Sequence, residues 1–381
     1  MAEPKDVYDF LETLRKENKK EFQNYNSFME YFEEKARKNN VPISGQFELT
    51  PLCNLDCKMC YVNLTDNRLQ GRELLDTEAW KSLMKQAYDC GMMDATLTGG
   101  ECLTYPGFKD IFLFLQDLGC QVTVMTNGFL LNEEMLDFFT EHPPSDIQVT
   151  LYGENDDVYE RVTGRRAFGT VYKNLQRVKE IGIPLIITVT PNEYLGEDVF
   201  ETIKVALSIT PNVLVNNELF VPEDQPWRKD NVKDLTPEFY ARIFRFYQEM
   251  RGKETKTMPI SELPAPGGNC KECAEKGVEC GGGRSGFTMN WKGELRICNR
   301  MEARAYPLRD GFVQAWKEIN EVAVNWPRVP ECQGCAYEPV CTSCAATKMK
   351  NNEPGKQPKE LCEQVRYMVS QGVLSVSHCN I

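Results

Sequence analysis

Apolar residues recur along residues 41–240 in two alternating rhythms. Short runs rich in β-branched side chains, near 44–50, 94–98, 121–126, 146–151, 184–190 and 212–221, read as strands. Between them a 3.6-residue period predicts helices near 77–90, 107–118, 132–141, 169–181 and 197–209. Parallel strands need crossover connections, so regular βα alternation implies a parallel sheet. Six such units make a partial (βα)6 TIM-like barrel of the α/β class, with ligands expected at the C-terminal strand ends. Residues 1–40 set Tyr8, Phe10, Leu11, Leu14, Phe22, Phe28 and Phe32 among many charges. That pattern predicts a helical extension packed on the barrel; docking of substrate is its alternative use. Residues 241–265 read as a linker. From 266 to 381 Gly and Cys rise and the periodicity breaks up, which predicts a small Cys-rich domain held by staples rather than by a core.

The chemistry-bearing residues fall at the strand ends. Cys53, Cys57 and Cys60 (C-x3-C-x2-C) follow the first strand. Three thiolates hold three irons of a [4Fe–4S] cube and leave the fourth open to a small molecule, whereas an electron-transfer cluster uses four Cys. A zinc knuckle would want a second Cys pair or His nearby. After Cys60 the next Cys is Cys90, and the whole chain holds two His. Gly99-Gly100-Glu101 ends the second strand. Glycines there admit a ligand close to the backbone, and the carboxylate can accept from an ammonium group.

With Gly99-Gly100-Glu101 one βα unit after the Cys motif, residues 44 to 225 resemble the radical S-adenosylmethionine (radical SAM) enzymes. The resemblance implies that the open iron chelates SAM's methionine and that reductive cleavage gives a 5′-deoxyadenosyl radical, which takes a hydrogen atom from substrate. It also implies further SAM contacts. Met59 and Tyr61 would lie near the adenine, Asn127 near ribose or substrate, and Thr150 near the fourth strand end. Arg161 would face the SAM carboxylate, and Asn192 follows the fifth strand. Each has an ordinary alternative, such as Met59 in the core or Arg161 as a solvated helix charge.

The C-terminal Cys pattern resembles the SPASM extension of that family: Cys280, then Gly293-x4-Cys298, Cys332-x2-Cys335-x5-Cys341-x2-Cys344, and Cys362. The family has three residues rather than two in the last internal spacing. The resemblance implies two auxiliary iron–sulfur clusters of the [4Fe–4S] type. Cys280, Cys298 and Cys344 would hold one with either Cys270 or Cys273; Cys332, Cys335, Cys341 and Cys362 would hold the other. Cys90 and Cys120 read as buried hydrophobes. Cys102, next to Glu101, reads as packing beneath the loop, with hydrogen-atom donation as the alternative.

The resemblance implies an oxidative change to a peptide or protein side chain, such as a thioether or C–C crosslink in a ribosomal peptide. It also implies an electron donor such as flavodoxin or ferredoxin. Formylglycine formation is an alternative, although Asn299 stands where those relatives carry a basic Asp. Oxidation or rearrangement of a small molecule is another. Sixteen Cys, twelve of them at metal-ligand spacings, without a secretory signal suggest a cytoplasmic metalloprotein. No apolar run is long enough for a bilayer, and a net charge of −12 argues against nucleic acid.

Overall fold

The computed structural model describes residues 25–60, 73–216, 235–266, 276–278, 280–301, 306–307, 311–341, 344–350, 353–354 and 359–374. In chain order the elements begin with α1 (Tyr25–Asn39), β1 (Ser44–Glu48), α2 (Thr77–Asp89), β2 (Asp94–Thr98), α3 (Phe108–Asp117) and β3 (Gln121–Thr126). Next come α4 (Glu133–Glu141), β4 (Asp146–Thr150), α5 (Asp156–Thr163), α6 (Phe168–Ile181), β5 (Leu185–Val189), α7 (Val199–Ile209), β6 (Val213–Val215) and α8 (Pro237–Met250). The last are β7 (Gly286–Met289), β8 (Glu294–Arg296), β9 (Tyr306–Pro307), α9 (Phe312–Asn325), β10 (Met349–Lys350), β11 (Glu353–Pro354) and α10 (Lys359–Ser370). The fold is α/β with mostly parallel strands, as the periodicity predicts. Residues 217–221 of the sixth predicted strand lie outside the described residues.

Helix α5 is absent from the periodicity reading because it has only eight residues and two of them open it as acids. Its ends are nevertheless written locally. The Asn155 side chain accepts from the Val158 N–H at 3.0 Å, and Gly164 closes the helix in the left-handed region at φ 72°. Helix α8 occupies 237–250, the first part of the segment read as a linker, and buries Tyr240, Ala241 and Ile243.

The chain forms two compact units, each assembled from separated segments. The first takes its described residues from within 1–51, 69–124 and 277–326. Its strands run in the order β3-β2-β1-β7-β8-β9. β7 pairs parallel to β1, with Ser44 opposite Gly286 and Phe47 opposite Met289, while β8 and β9 turn back antiparallel. A strand from the C-terminal third thus covers the edge of β1 that β2 leaves open, which removes an unpaired row of backbone groups.

One face of this sheet is aromatic. Phe47 meets Trp80 of α2 edge-on at 6.2 Å and Phe287 of β7 at 5.8 Å. Phe287 in turn meets Phe312 and Trp316 of α9 at 5.0 and 6.2 Å. The Trp316 indole N–H donates to the Asn40 carbonyl at 3.0 Å. Phe32 and Ala36 of α1 pack with Ile43, so this part of the N-terminal extension lies on the unit's core.

The opposite face is polar. Successive side chains of a strand alternate between faces, so register aligns Thr123, Thr96, Gln46, Thr288 and Arg296 across five strands. Arg296 pairs with Glu48, and these side chains are 4% and 13% exposed.

The second unit draws its described residues from within 52–68, 125–276 and 327–381. β4, β5 and β6 are parallel neighbours, with Thr150 opposite Thr188 and Val189 opposite Val215. Tyr240 and Ala241 of α8 pack with Met368 and Val373 at the end of α10. Arg245 donates to Gln371 at 2.7 Å, and the Gln248 amide donates to the Val373 carbonyl at 2.8 Å. A separate cluster of Leu263, Tyr337, Leu361, Val365 and Val369 holds the Cys335–Cys341 turns against α10.

The buried Glu48–Arg296 pair links the last residue of β1 to the hairpin from the C-terminal third. Arg296→Met leaves the carboxylate uncompensated, and we expect a loss of about 3–5 kcal/mol in anaerobic denaturant unfolding. Adding Glu48→Gln to that variant should recover most of the loss.

Candidate functional site

The Cys loop belongs to the second unit and has no helix or strand of its own. It is held by the end of a helix instead. The Asp56 N–H donates to the Thr163 carbonyl at 2.9 Å, and the Lys58 N–H donates to the Val162 carbonyl at 3.0 Å. These are among the last carbonyls of α5, which a helix cannot pair internally. Gly164 is required by its left-handed backbone at φ 72°, which ends α5 beside the loop. Arg165, the next residue, donates to the Asn54 carbonyl at 3.1 Å and lies 4.1 Å from the Phe129 ring centre. A turn from the Cys60 N–H to the Cys57 carbonyl, 3.1 Å, closes the loop.

Cys53 and Cys60 are half-buried, Cys57 is buried, and all three thiols are free of disulfides. The Leu55 N–H points at Cys53 Sγ at 3.5 Å. Tyr152, just past β4, lies within electrostatic reach of all three sulfurs. Burial first, then the charges of Cys57, Cys60, the Tyr159 phenol and Cys53, push its phenol well above the usual range. Three thiols on one braced loop, one of them receiving N–H donors, fit a thiolate-ligated cluster. Among the described residues no three His, Cys, Asp or Glu form a group suited to a single metal ion. A four-iron cube spreads its thiolates wider than one ion does.

Gly99, Gly100 and Glu101 belong to the first unit. Gly99 has φ +141°, and a Cβ on it would lie 2.4 Å from the Thr50 carbonyl oxygen, so only glycine fits. The Gly100 N–H donates to the same oxygen at 2.7 Å. Glu101 is buried, and its Oε1 accepts from the Leu103 N–H at 3.1 Å across the short turn Cys102–Thr104. Cys102 is completely buried beside it, as packing requires.

The remaining expected contacts all lie in the second unit. Thr150 is half-buried at the end of β4, and Met59 is half-buried in the Cys loop. Arg161 turns toward the β5–α7 connection, where its Nε donates to the Tyr194 carbonyl at 2.7 Å and its guanidinium pairs with Asp198. Asn192 shapes that same connection: its buried Oδ1 accepts from the Tyr194 and Leu195 N–H groups, both at 3.0 Å. Lys58 of the Cys loop sits 5.0 Å from the Tyr194 ring centre. Tyr61, Cys270 and Cys273 lie outside the described residues.

Sequence reasoning did not single out Tyr152, Arg165 or Phe129. The Asn155…Gly164 pair of helix-end signals could have revealed α5 and with it the brace on the Cys loop.

In the C-terminal third, Cys280 is exposed and receives the Gly282 N–H at 3.4 Å, and Cys298 is half-buried; both belong to the first unit. Cys332, Cys335, Cys341, Cys344 and Cys362 are half-buried in the second. Tight turns join three of them, from the Cys335 N–H to the Cys332 carbonyl and from the Cys341 N–H to the Glu338 carbonyl. The Cys344 N–H donates to Thr347 Oγ1 at 2.8 Å. Cys120 is buried near Asp94, and burial pushes its thiol up to about 11; burial also raises Cys90. Such thiols stay protonated and inert.

Comparison with known proteins agrees with this geometry. Residues 47–206 match the family model described as the radical SAM superfamily. The sporulation killing factor maturation protein SkfB of Bacillus subtilis is 29% identical over 168 residues, covering 43% of this chain and 39% of SkfB. The matched region therefore spans well under half the length of that relative. The AdoMet-dependent heme synthase of Methanosarcina barkeri is 25% identical over 330 residues, covering 81% of this chain and 92% of the synthase. Streptococcus suis SuiB, solved with its precursor peptide SuiA, superposes with a TM-score of 0.64 at 16% identity, covering 91% of this chain and 83% of SuiB. That likeness is one of fold. With the three-thiol loop after β1 and the Gly-Gly-Glu turn after β2, the match means that this chain carries a radical SAM domain, built on residues 47–206.

Proposed function

We propose that this protein is a radical SAM maturase that oxidatively modifies a side chain of a peptide or protein, for example by forming a thioether or C–C crosslink. The observation that carries the reading is the braced loop that bears Cys53, Cys57 and Cys60, with N–H donors aimed at the Cys53 sulfur. When bound, a [4Fe–4S] cluster and SAM supply a 5′-deoxyadenosyl radical that removes a hydrogen atom from substrate. Cys53, Cys57 and Cys60 would hold that cluster. Gly99 and Gly100 would admit the methionine end of SAM close to the backbone, and the Glu101 carboxylate would accept from its ammonium. Thr150, Met59 and Tyr61 would line the rest of the cofactor. Arg161 and Asn192 shape the β5–α7 connection from behind, a role that their hydrogen bonds support.

Residues 266–381 are proposed to hold two auxiliary clusters on the Cys set named above, including Cys270 or Cys273. Those clusters would carry the substrate's second electron away, and an electron donor such as flavodoxin or ferredoxin would reduce the first cluster. Free thiols in this number suit the cytoplasm. No helix among the described residues is long and apolar enough to cross a membrane.

A small-molecule substrate is the second reading. It is favoured by the likeness to AdoMet-dependent heme synthase, which extends over most of both chains. Incubating the reconstituted enzyme with SAM, reductant and short peptides encoded beside its gene separates the two. A peptide lighter by one hydrogen pair supports the maturase. Release of 5′-deoxyadenosine only with a porphyrin or other metabolite supports the alternative.

The cluster assignment has its own check. Cys57→Ala should lower iron by about four atoms per chain and abolish 5′-deoxyadenosine formation. Cys120→Ala should change neither.

A further inference from the structure

Asn127 follows β3 with 6% of its surface exposed, and its hydrogen bonds fix which way its amide points. The Phe129 N–H donates to Asn127 Oδ1 at 3.0 Å, so the oxygen end is taken by a donor that could not face the amide nitrogen. The nitrogen end therefore faces the Cys loop. There Nδ2 lies 2.7 Å from Asn54 Oδ1 and 3.7 Å from Cys53 Sγ. A primary amide carries two N–H bonds, and two acceptors are in reach, one for each. The Leu55 N–H reaches the same sulfur at 3.5 Å. Cys53 Sγ thus receives a main-chain and a side-chain donor, from residues far apart in sequence.

We infer that Asn127 is a positioning residue for the first cluster: it locks Asn54 and donates an N–H···S hydrogen bond to the Cys53 thiolate, raising the reduction potential of the cluster that thiolate holds. The physical reason is that an N–H aimed at a ligating sulfur stabilises the extra negative charge of the reduced state, and such hydrogen bonds are among the levers that set iron–sulfur potentials. Such a donor would favour loading of the electron that the cluster needs from its reductant. The inference rests on the reading that Cys53, Cys57 and Cys60 hold a cluster. It stands beside the ribose or substrate contact expected for Asn127 from sequence.

The test uses the full chain, reconstituted anaerobically, and follows the EPR signal that is lost in Cys57→Ala. In Asn127→Leu, at unchanged iron content, the ratio of reduced to oxidised cluster at a fixed poise should fall about tenfold, equivalent to 59 mV for a one-electron couple. Asn127→Asp, of the same shape but with an acceptor where the N–H was, should lower it further. An unchanged ratio in an iron-replete variant overturns the inference. If neither variant retains iron, wild-type protein labelled with 15N in asparagine side chains decides. A nitrogen coupling to the reduced cluster that persists in Asn54→Ala supports the hydrogen bond, and its absence overturns it. Failure of Cys57→Ala to remove any EPR signal would instead reject the cluster assignment itself.

Discussion

The hydrogen bonds from the Asp56 and Lys58 amides to the last carbonyls of α5 fasten a segment that has no regular structure of its own. They satisfy two groups at once: loop donors that a strand would otherwise pair, and helix acceptors left over at a C-terminus. Arg165 and Asn127 hold the preceding stretch at Asn54. Without this frame, Cys53, Cys57 and Cys60 would sit on a floppy eight-residue run, and their shared action on Tyr152 would be lost. The negative end of the helix dipole lies against the loop backbone, so it is the amides rather than the sulfurs that meet it.

The first unit answers a different problem. A short parallel strand such as β1 needs a neighbour on each side, and the second neighbour is β7, from the far end of the sequence. The aromatic stack of Phe47, Phe287, Phe312 and Trp316 then seals that pairing from one side. On the other, Thr123, Thr96, Gln46, Thr288 and Arg296 present hydroxyl, amide and guanidinium groups where a filled barrel would carry Val, Ile and Leu. This face is polar yet partly closed, since Thr288 and Arg296 are buried.

Much of this was legible in the sequence, because strand and helix periods differ and the strands are short and clean. β1 to β5 match the predicted strands to within two residues, and α2, α3, α4, α6 and α7 match as closely; β6 (Val213–Val215) is shorter than the 212–221 read for it, and β7 to β11 were not read. Helix α5 was not read, since four of its eight residues are Asp, Glu or Arg and too few turns remain to show a period. Pairings were illegible in principle. Asn127 meets Asn54 across 73 residues, and Arg161 meets Tyr194 across 33. No local rule specifies such partners, so Asn127 and Arg161 drew roles facing ligand while their side chains engage the protein. The assignment of 277–326 to the first unit was hidden likewise, since the rise in Gly and Cys from 266 onward reads as one separate domain while its strands pair with β1.

The parallel pairing of β1 with β7 bears on how the protein is made. Residues 44–48 leave the ribosome more than two hundred positions ahead of the strand that completes their sheet. During that interval one edge of β1 stays open and Phe47 lacks part of its aromatic cover. Contacts of such sequence separation are slow to form, and exposed edges invite association. A nascent chain in this state gains from a chaperone until Trp326 has emerged, and iron loaded onto the early cysteines would meet a scaffold still only partly closed.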